Sequence, residues 1–319
     1  MPKQTVTVSG LEQRLPHRFE NMLLDTLWTD PLADPKRGDF QVTITESDPA
    51  GRAIFFENRT GTPTLISPFF LEILALGSIS GLGGAQGDDI ALFAAISNYE
   101  KKVDFAIGQP IRGEFVAHKS KSRFFKVSAT LFDPQGNVAV TADLMAILAT
   151  KNDLTTAKIA PAAVSGSAPT AIVKIVPLSF KSPWMSVCDG LTEIDLGTGM
   201  LTGVYTYPID HPFVKGHFPE NPVMMGVMQW MTASDALAVL AQHLDGQGQL
   251  NFGAVTGDAQ ITKLNGDVVA DIRQFRVVVG KGANGIWTDM VATQKVAFRS
   301  TVLPGDTILT RLSNLQLQP

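Results

Sequence analysis

A proline-stiffened loop that runs into an apolar helix restricts this 319-residue chain more than any other stretch. The loop covers residues 216–225, with prolines at 219 and 222, and the apolar residues after Gly226 recur at helical spacing. This layout predicts that the imidazole of His217 lies beside the N-terminal end of a helix, where free N–H groups bind and polarise an oxygen. A base beside such an oxyanion site is the minimum requirement for removing a proton next to a carbonyl group.

The same stretch resembles the active-site segment of the 3-hydroxyacyl-[acyl-carrier-protein] dehydratases, a family of hotdog-fold enzymes. The matching residues are His217, Phe218, Pro219, Pro222, Met224 and Gly226. Met225 stands where the family usually has proline, and Met231 stands where it has the catalytic Glu or Asp. Residues 15–25 also resemble the family's N-terminal segment, which implies that His17 is a structural or surface histidine rather than a catalytic one.

A second apolar helix is predicted from Ser67-Pro68, because a hydroxyl N-cap followed by proline is a typical helix start. Nearly every residue on this helix is apolar except Glu72. A carboxylate on a buried helix is costly unless it is paired or used. Glu72 is therefore the second candidate functional residue.

The two helix-leading segments align at an offset of 159 residues, which places Asn58 on His217 and Glu72 on Met231. In the dehydratase family each active site is composite, with the histidine from one subunit and the acid from the other. The resemblance therefore implies one complete site, made of His217 and Glu72, and an inert counterpart that holds Asn58 and Met231. Asp235, one helical turn beyond Met231, is the reserve acid.

The predicted fold class is α+β, a double hotdog in which two central helices are each wrapped by an antiparallel β-sheet. Strand-like alternation over residues 90–150 agrees with this layout. We predict an N-terminal hotdog domain at 1–150 that supplies Glu72 and a C-terminal hotdog domain at 173–319 that supplies His217. Residues 151–172, rich in Ala, Thr, Ser, Pro and Gly, are the predicted linker.

The order of the last strands is open at this point. Residues 296–306 resemble a strand that soon follows the central helix in the family, yet only thirteen residues remain after Asp306. Either the last strands are reordered, or residues 250–285 are an insertion and the chain is a fragment of a larger polyketide or polyunsaturated fatty acid synthase.

The resemblance implies dehydration of a 3-hydroxyacyl thioester to a trans-2-enoyl thioester. His217 would remove the alpha proton, as a base with a pKa near neutrality. Glu72 would protonate the leaving hydroxyl, which requires that burial raise its pKa. The backbone N–H of Gly226 would hold the thioester oxygen as negative charge develops.

The substrate would be carried on the phosphopantetheine of an acyl carrier protein or on coenzyme A, and no protein-bound cofactor is implied. The acyl chain is expected in a tunnel lined by Phe69, Phe70, Met228 and Trp230. Carrier proteins are acidic, so a basic patch is expected on this chain. Its candidate residues are Lys119, Lys121, Arg123 and Lys126.

Composition limits the other functions that this chain could have. A net charge of −4 gives no reason to expect nucleic-acid or anionic-membrane binding, and no run of residues has the length of a membrane span. Five scattered histidines and the single Cys188 form no metal-ligand cluster in the sequence and allow no internal disulfide. We therefore expect a cytoplasmic protein without a metal; whether it forms a homodimer or joins a synthase partner is open.

Three other functions remain open from the sequence. A dehydratase that also isomerises its enoyl product has the same loop pattern, and only the shape of the tunnel would separate the two. A thioesterase would keep the fold, but the histidine loop argues against it. A non-catalytic hotdog scaffold that binds acyl carriers is favoured by Met225 and Met231 and opposed by the complementary His217 and Glu72.

Overall fold

The computed structural model describes residues 4–30, 34–58, 61–82, 89–121, 124–150, 169–174, 178–218 and 222–319. Most of the predicted linker, residues 151–168, lies outside the described residues. Within the described part, the α-helices are Val8–Leu11, Pro68–Gly81, Val214–His217 and Gly226–Gly246, and the 3-10 turns are Phe19–Asn21, Gly51–Ile54 and Pro183–Met185. We call Pro68–Gly81 the first central helix and Gly226–Gly246 the second central helix.

The strands of the described residues form one large antiparallel sheet and a small hairpin. In chain order they are Gln4–Thr7 (β1), Thr26–Asp30 (β2), Asp34–Thr43 (β3), Phe55–Glu57 (β4), Pro63–Leu65 (β5), Asp89–Lys101 (β6), Pro110–Lys121 (β7), Phe124–Phe132 (β8), Val138–Thr150 (β9), Val173–Lys174 (β10), Gly190–Asp195 (β11), Met200–Thr206 (β12), Ala254–Lys263 (β13), Val268–Gly282 (β14), Gly285–Phe298 (β15) and Thr307–Gln318 (β16). The order in the 14-stranded sheet is β1-β2-β3-β7-β8-β9-β6-β15-β14-β13-β16-β12-β11-β10, and β4 pairs with β5.

A large antiparallel sheet packed on two buried helices agrees with the predicted hotdog layout. The sheet differs from the prediction in one respect, because the halves do not have separate sheets. β6 of the first half pairs with β15 of the second, with Ile96 opposite Val296, so the sheet is continuous across the middle of the molecule. Residues 102–105, predicted as a strand, instead form a loop after β6, and the loop lets the chain turn back into β7.

The last strands of the described residues are reordered, and residues 250–285 are part of the sheet rather than an insertion. In the first half, the strand that follows the central helix is β6, and it is the strand that pairs with the other half; we call this position the join. In the second half, β13 and β14 come first in the chain, and it is the later β15 that occupies the join, while β16 inserts between β12 and β13. The residues taken for an insertion are thus β13 and β14, two long strands of the sheet, joined at Asn265-Gly266, where Gly266 has φ +90°.

The two central helices pack against each other and against the inner face of the sheet. Almost all of the first central helix is buried, as its apolar sequence requires. The second is buried from Val227 to Ala241 and lies mainly on β15. Each helix therefore begins deep in the molecule, close to the other half of the chain.

Candidate active site

Glu72 lies in the first turns of the first central helix and is only 2% exposed. Its helix begins with Pro68 at the first position, as predicted, but the hydroxyl of Ser67 does not cap the helix. It donates instead to the carboxylate of Asp289 on β15. Burial raises the pKa of Glu72 from its ordinary value of 4.5 to about 8, so this carboxyl group is protonated at neutral pH.

His217 ends the short helix Val214–His217 and is 8% exposed. Its Nδ1 lies 3.0 Å from the carbonyl oxygen of Val223. Because a carbonyl can only accept, Nδ1 carries the proton, and Nε2 keeps its lone pair. Burial lowers the pKa of His217 to about 4, well below the near-neutral value that the sequence suggested, because the charged ring would lose its hydration.

The structure brings His217 and Glu72 together at one cavity of about 240 Å³ between the two halves. One ring nitrogen of His217, one ring nitrogen of His17 and one carboxylate oxygen of Glu72 all lie within 4.8 Å of one another. The neutral imidazole and the neutral carboxylic acid are the protonation states that a base and an acid need before a reaction. A proton acceptor and a proton donor therefore face the same cavity.

His17 lines this cavity, whereas its segment predicts a structural or surface histidine. It is 4% exposed, and its Nε2 lies 3.5 Å from Oε1 of Glu72. Its ring centroid lies 5.3 Å from that of His217. The segment that carries it is fixed to the histidine loop, since the N–H of Arg18 donates to the carbonyl oxygen of Gly216 at 2.8 Å. No periodic signal marks this contact, because it joins residues almost two hundred positions apart.

Gly226 is the first residue of the second central helix and lines the cavity. The N–H groups at a helix start have no carbonyl partner within the helix, so they can face a bound oxygen. A Cβ at this position would lie 3.0 Å from the ring of Phe298, so glycine leaves room there. Met225, which stands where the family usually has proline, accepts a hydrogen bond on its sulfur from the side chain of Asn21 at 3.1 Å.

The four residues predicted for the acyl tunnel do not line this cavity. Phe69, Phe70, Met228 and Trp230 are fully buried in the core, where Phe70 packs on Phe105, and Trp230 packs edge-on to Tyr99. Other apolar side chains line the cavity instead. They are Ala75, Leu76, Ile79, Ala91, Leu92, Ala94, Ile147, Phe218, Val223, Met224 and Phe298.

The polar side of the cavity comes from the loop after β15, with Arg299, Ser300 and Thr301. Arg299 is held by Asp271, whose carboxylate accepts from Nε at 3.1 Å. Of the basic patch predicted from the sequence, Lys126 is exposed on β8. The side chains of Lys119 and Lys121 and the whole of Arg123 lie outside what the structure describes.

The reserve acid Asp235 lies in a different place from His217. It forms a buried ion pair with Lys181 at 2.5 Å and accepts a hydrogen bond from the backbone N–H of Val187 at 2.8 Å. Together with Met231 these charges line a small pocket against β15. Asn58 lies outside the lining of that pocket, and its side-chain amide donates to Oγ1 of Thr64 at 3.0 Å. Asp235 is therefore committed to an ion pair, and the described residues that line this pocket include no histidine and no unpaired carboxylate.

The spacing of His17, Glu72 and His217 would also suit a metal ion. Two histidines and one carboxylate are a set of side chains that can serve either as metal ligands or as acid–base groups. Among the described helices, none is both long and apolar enough to cross a bilayer.

Comparison with known proteins finds a similarity for the histidine segment. Residues 181–285 match the FabA-like domain, which confirms the dehydratase resemblance for that segment. This match includes His217 and Gly226. It does not include Glu72, which lies in the first half of the chain.

Solved structures with hotdog-type or dehydratase descriptions are also similar to this chain. The dehydratase domain of RzxB from Pseudomonas fluorescens is 9% identical over 92% of this chain and 99% of that chain, with a TM-score of 0.43. The dehydratase heterocomplex ApeI:P from Xenorhabdus doucetiae is 20% identical over 46% and 95%, with a TM-score of 0.38. A thioesterase superfamily member from Thermus thermophilus is 10% identical over 40% and 92%, with a TM-score of 0.33. Similarities at this level do not bear on function.

Proposed function

We propose that this chain, whose residues 181–285 match a FabA-like domain, dehydrates a 3-hydroxyacyl thioester to the trans-2-enoyl thioester at one composite site. The observation that carries the proposal is the shared cavity of His217 and Glu72, one residue from each half. The division into hotdog domains at 1–150 and 173–319 is part of this proposal, since it assigns each catalytic group to its own domain.

The protonation states support the roles of the two residues. His217 holds its Nδ1–H against the carbonyl of Val223, so its Nε2 lone pair is available to remove the alpha proton. With a pKa lowered to about 4, the ring is neutral above mildly acidic pH. Glu72, with a pKa raised to about 8, holds the proton that the leaving hydroxyl group needs.

The reaction is balanced by these two groups. His217 takes the alpha proton, and the electron pair of the broken C–H bond moves toward the thioester oxygen, where the N–H at Gly226 stabilises the developing charge. The pair then forms the C2–C3 double bond, while the C3–O bond breaks and Glu72 protonates the departing oxygen to give water. The imidazolium and carboxylate left behind attract each other, and proton transfer between them restores the starting state.

The two walls of the cavity suggest how the substrate lies. The apolar wall, around Ala75 and Ile79, suits the acyl chain, because an alkyl group gains free energy when it leaves water. The polar side, at Arg299, Ser300 and Thr301, suits the carrier arm, whether phosphopantetheine of an acyl carrier protein or coenzyme A. An acyl carrier protein or a synthase partner would approach on this side.

The test is turnover of a short 3-hydroxyacyl thioester, or hydration of the matching crotonyl thioester, on coenzyme A and on a carrier protein. We expect His217→Ala and Glu72→Gln to lower kcat by about 10²- to 10⁴-fold. Asn58→Ala is the control, since its amide lies outside the cavity, and it should retain the wild-type rate.

Other outcomes would select other functions. A wild-type protein that is inactive on both carriers would refute the dehydratase and leave a non-catalytic scaffold that binds acyl carriers. A 3-enoyl product that accumulates after the 2-enoyl product would show the dehydratase that also isomerises. Full activity in Glu72→Gln would show that Glu72 is not the acid and would refute the composite site.

A further inference from the structure

His17 is fixed between the acid and the base by contacts on both sides. Its own segment docks on the histidine loop through the 2.8 Å hydrogen bond from Arg18 to Gly216. The docking is tight, because a Cβ on Gly216 would lie 2.1 Å from the carbonyl oxygen of Arg18. The guanidinium of Arg18 also binds the carbonyl oxygens of Leu15 and His17, which fixes the backbone at the ring. The imidazole therefore has a defined place in the cavity wall.

Only one of the two ring nitrogens of His17 lies near a polar group of the described residues. Nε2 lies 3.5 Å from Oε1 of Glu72, whereas Nδ1 is buried without a hydrogen-bond partner among the described residues. A neutral imidazole carries one N–H, and a buried N–H without an acceptor costs more than a buried lone pair without a donor. The proton is thus better placed on Nε2, facing Glu72, with the Nδ1 lone pair left unpaired.

Burial keeps the pKa of His17 well below its ordinary value, and the charges of His217 and Arg18 act in the same direction. The ring is therefore neutral and acts as a hydrogen-bond partner rather than as a charge. Within the described residues, the titratable or charged groups that line this cavity are His17, Glu72, His217 and Arg299. His17 is the one that lies against the carboxyl group of Glu72.

We propose that His17 is the positioning residue of Glu72: its Nε2–H donates to Oε1 and leaves the protonated oxygen free for the leaving hydroxyl group of the substrate. This inference rests on the proposed function and adds a third residue to the site. Once Glu72 has given up its proton, the same N–H stabilises the carboxylate. Loss of the donor should therefore both misplace the acid and make its ionisation harder.

The kinetic test compares His17→Leu, which removes the donor, with His17→Gln, whose side-chain amide can replace it. We expect His17→Leu to lower kcat by about 10- to 100-fold, the effect of one hydrogen bond to a developing charge, with little change in KM. Its alkaline pH limit should move upward, because the carboxylate loses a donor. His17→Gln should recover most of kcat and the wild-type pH limit.

Non-additivity separates a positioning role from an independent one. In the Glu72→Gln background, His17→Leu should cause little further loss, since its effect passes through Glu72. If the falls in kcat caused by His17→Leu and Glu72→Gln multiply in the double variant, the inference is overturned. A His17→Leu enzyme with the wild-type kcat and pH profile would also overturn it. Equal damage in His17→Leu and His17→Gln, with an unchanged pH profile, would indicate a packing role and would also overturn it.

A spectroscopic measurement decides the inference without turnover and without a folded Leu variant. In protein labelled with ¹⁵N-histidine, the ring shifts of His17, assigned with His17→Gln, should show the neutral Nε2–H form. The Nδ1–H form, or a charged ring at neutral pH, would refute the hydrogen bond. If the wild type turns over no thioester but shows the Nε2–H form, the proposed function fails while the contact with Glu72 stands.

Discussion

Glu72→Gln should make the protein more stable at alkaline pH while it destroys activity. The buried carboxyl has its pKa raised from 4.5 to about 8, so the folded protein keeps a proton that the unfolded chain releases. Between these values, a rise in pH favours the unfolded state. The stability contribution of Glu72 is thus fully present below about pH 4.5 and is lost as the pH rises toward 8. Glutamine has a similar shape and no proton to lose, so the variant escapes this loss.

The size of the effect follows from the two pKa values. Each pH unit between them changes the free energy of unfolding by about 1.4 kcal/mol for one proton. From 4.5 to about 8 the wild type should lose on the order of 5 kcal/mol relative to Glu72→Gln. This is a large share of the 5–15 kcal/mol that is typical of folded domains, roughly a third or more.

The assay is denaturant unfolding of both proteins at several pH values between 5 and 8, with the difference in unfolding free energy plotted against pH. Groups other than Glu72 cancel in this difference, which should rise by about 1.4 kcal/mol per pH unit. Glu114→Gln, at an exposed position on β7, is the matched control, and its curve should run parallel to that of the wild type. A flat difference for Glu72→Gln would show that the carboxyl ionises in the fold and would refute its role as a proton donor.

Three further predictions concern the site and its surroundings. First, kcat/KM should be bell-shaped in pH, falling below about 4 as His217 gains a proton and above about 8 as Glu72 loses one, by about tenfold per pH unit beyond each limit; a flat alkaline side would exclude Glu72 as the acid. Second, Asp235→Leu should lower the free energy of unfolding by about 3–5 kcal/mol, because Lys181 is left buried without its partner. The pH limits of kcat/KM, measured on the protein that still folds, should not change. A shifted alkaline limit would indicate that Asp235 takes part in the mechanism. Third, Gly226→Ala should lower kcat by about tenfold with a small change in stability, since the new methyl group meets the phenyl ring 3.0 Å away and shifts the N–H donor; an unchanged kcat would remove that N–H from the mechanism.

The sequence predicts the two catalytic candidates through local patterns. A lone carboxylate on an apolar helix and a histidine on a proline-rich loop are both visible without a structure. The convergence of Glu72 and His217 could be expected because each half lacks what the other retains, with Asn58 and Met231 at the matching positions. The low pKa of His217 could not be expected, because a loop position does not reveal how completely the folded protein excludes water.

Features that depend on helix rotation or on distant contacts escaped prediction. The first central helix is apolar on every side, so its periodicity does not show that Ala75 and Ile79, rather than Phe69 and Phe70, face the cavity. Open space is left where side chains are small or end early, and large aromatic rings fill the core instead. The place of His17 depends on docking between opposite ends of the chain.

The pairing of β6 with β15 joins the two halves of the chain in one sheet. When two separate subunits share a site, dilution separates the acid from the base. In the site proposed for this chain, both groups belong to one covalent chain and one sheet, so the proposal predicts that activity per molecule does not depend on concentration. Identical subunits also carry every substitution twice, at both of their pockets. In a single chain the two pockets can differ, and here one is lined by the ion pair of Lys181 and Asp235 while the other is lined by Glu72 and His217.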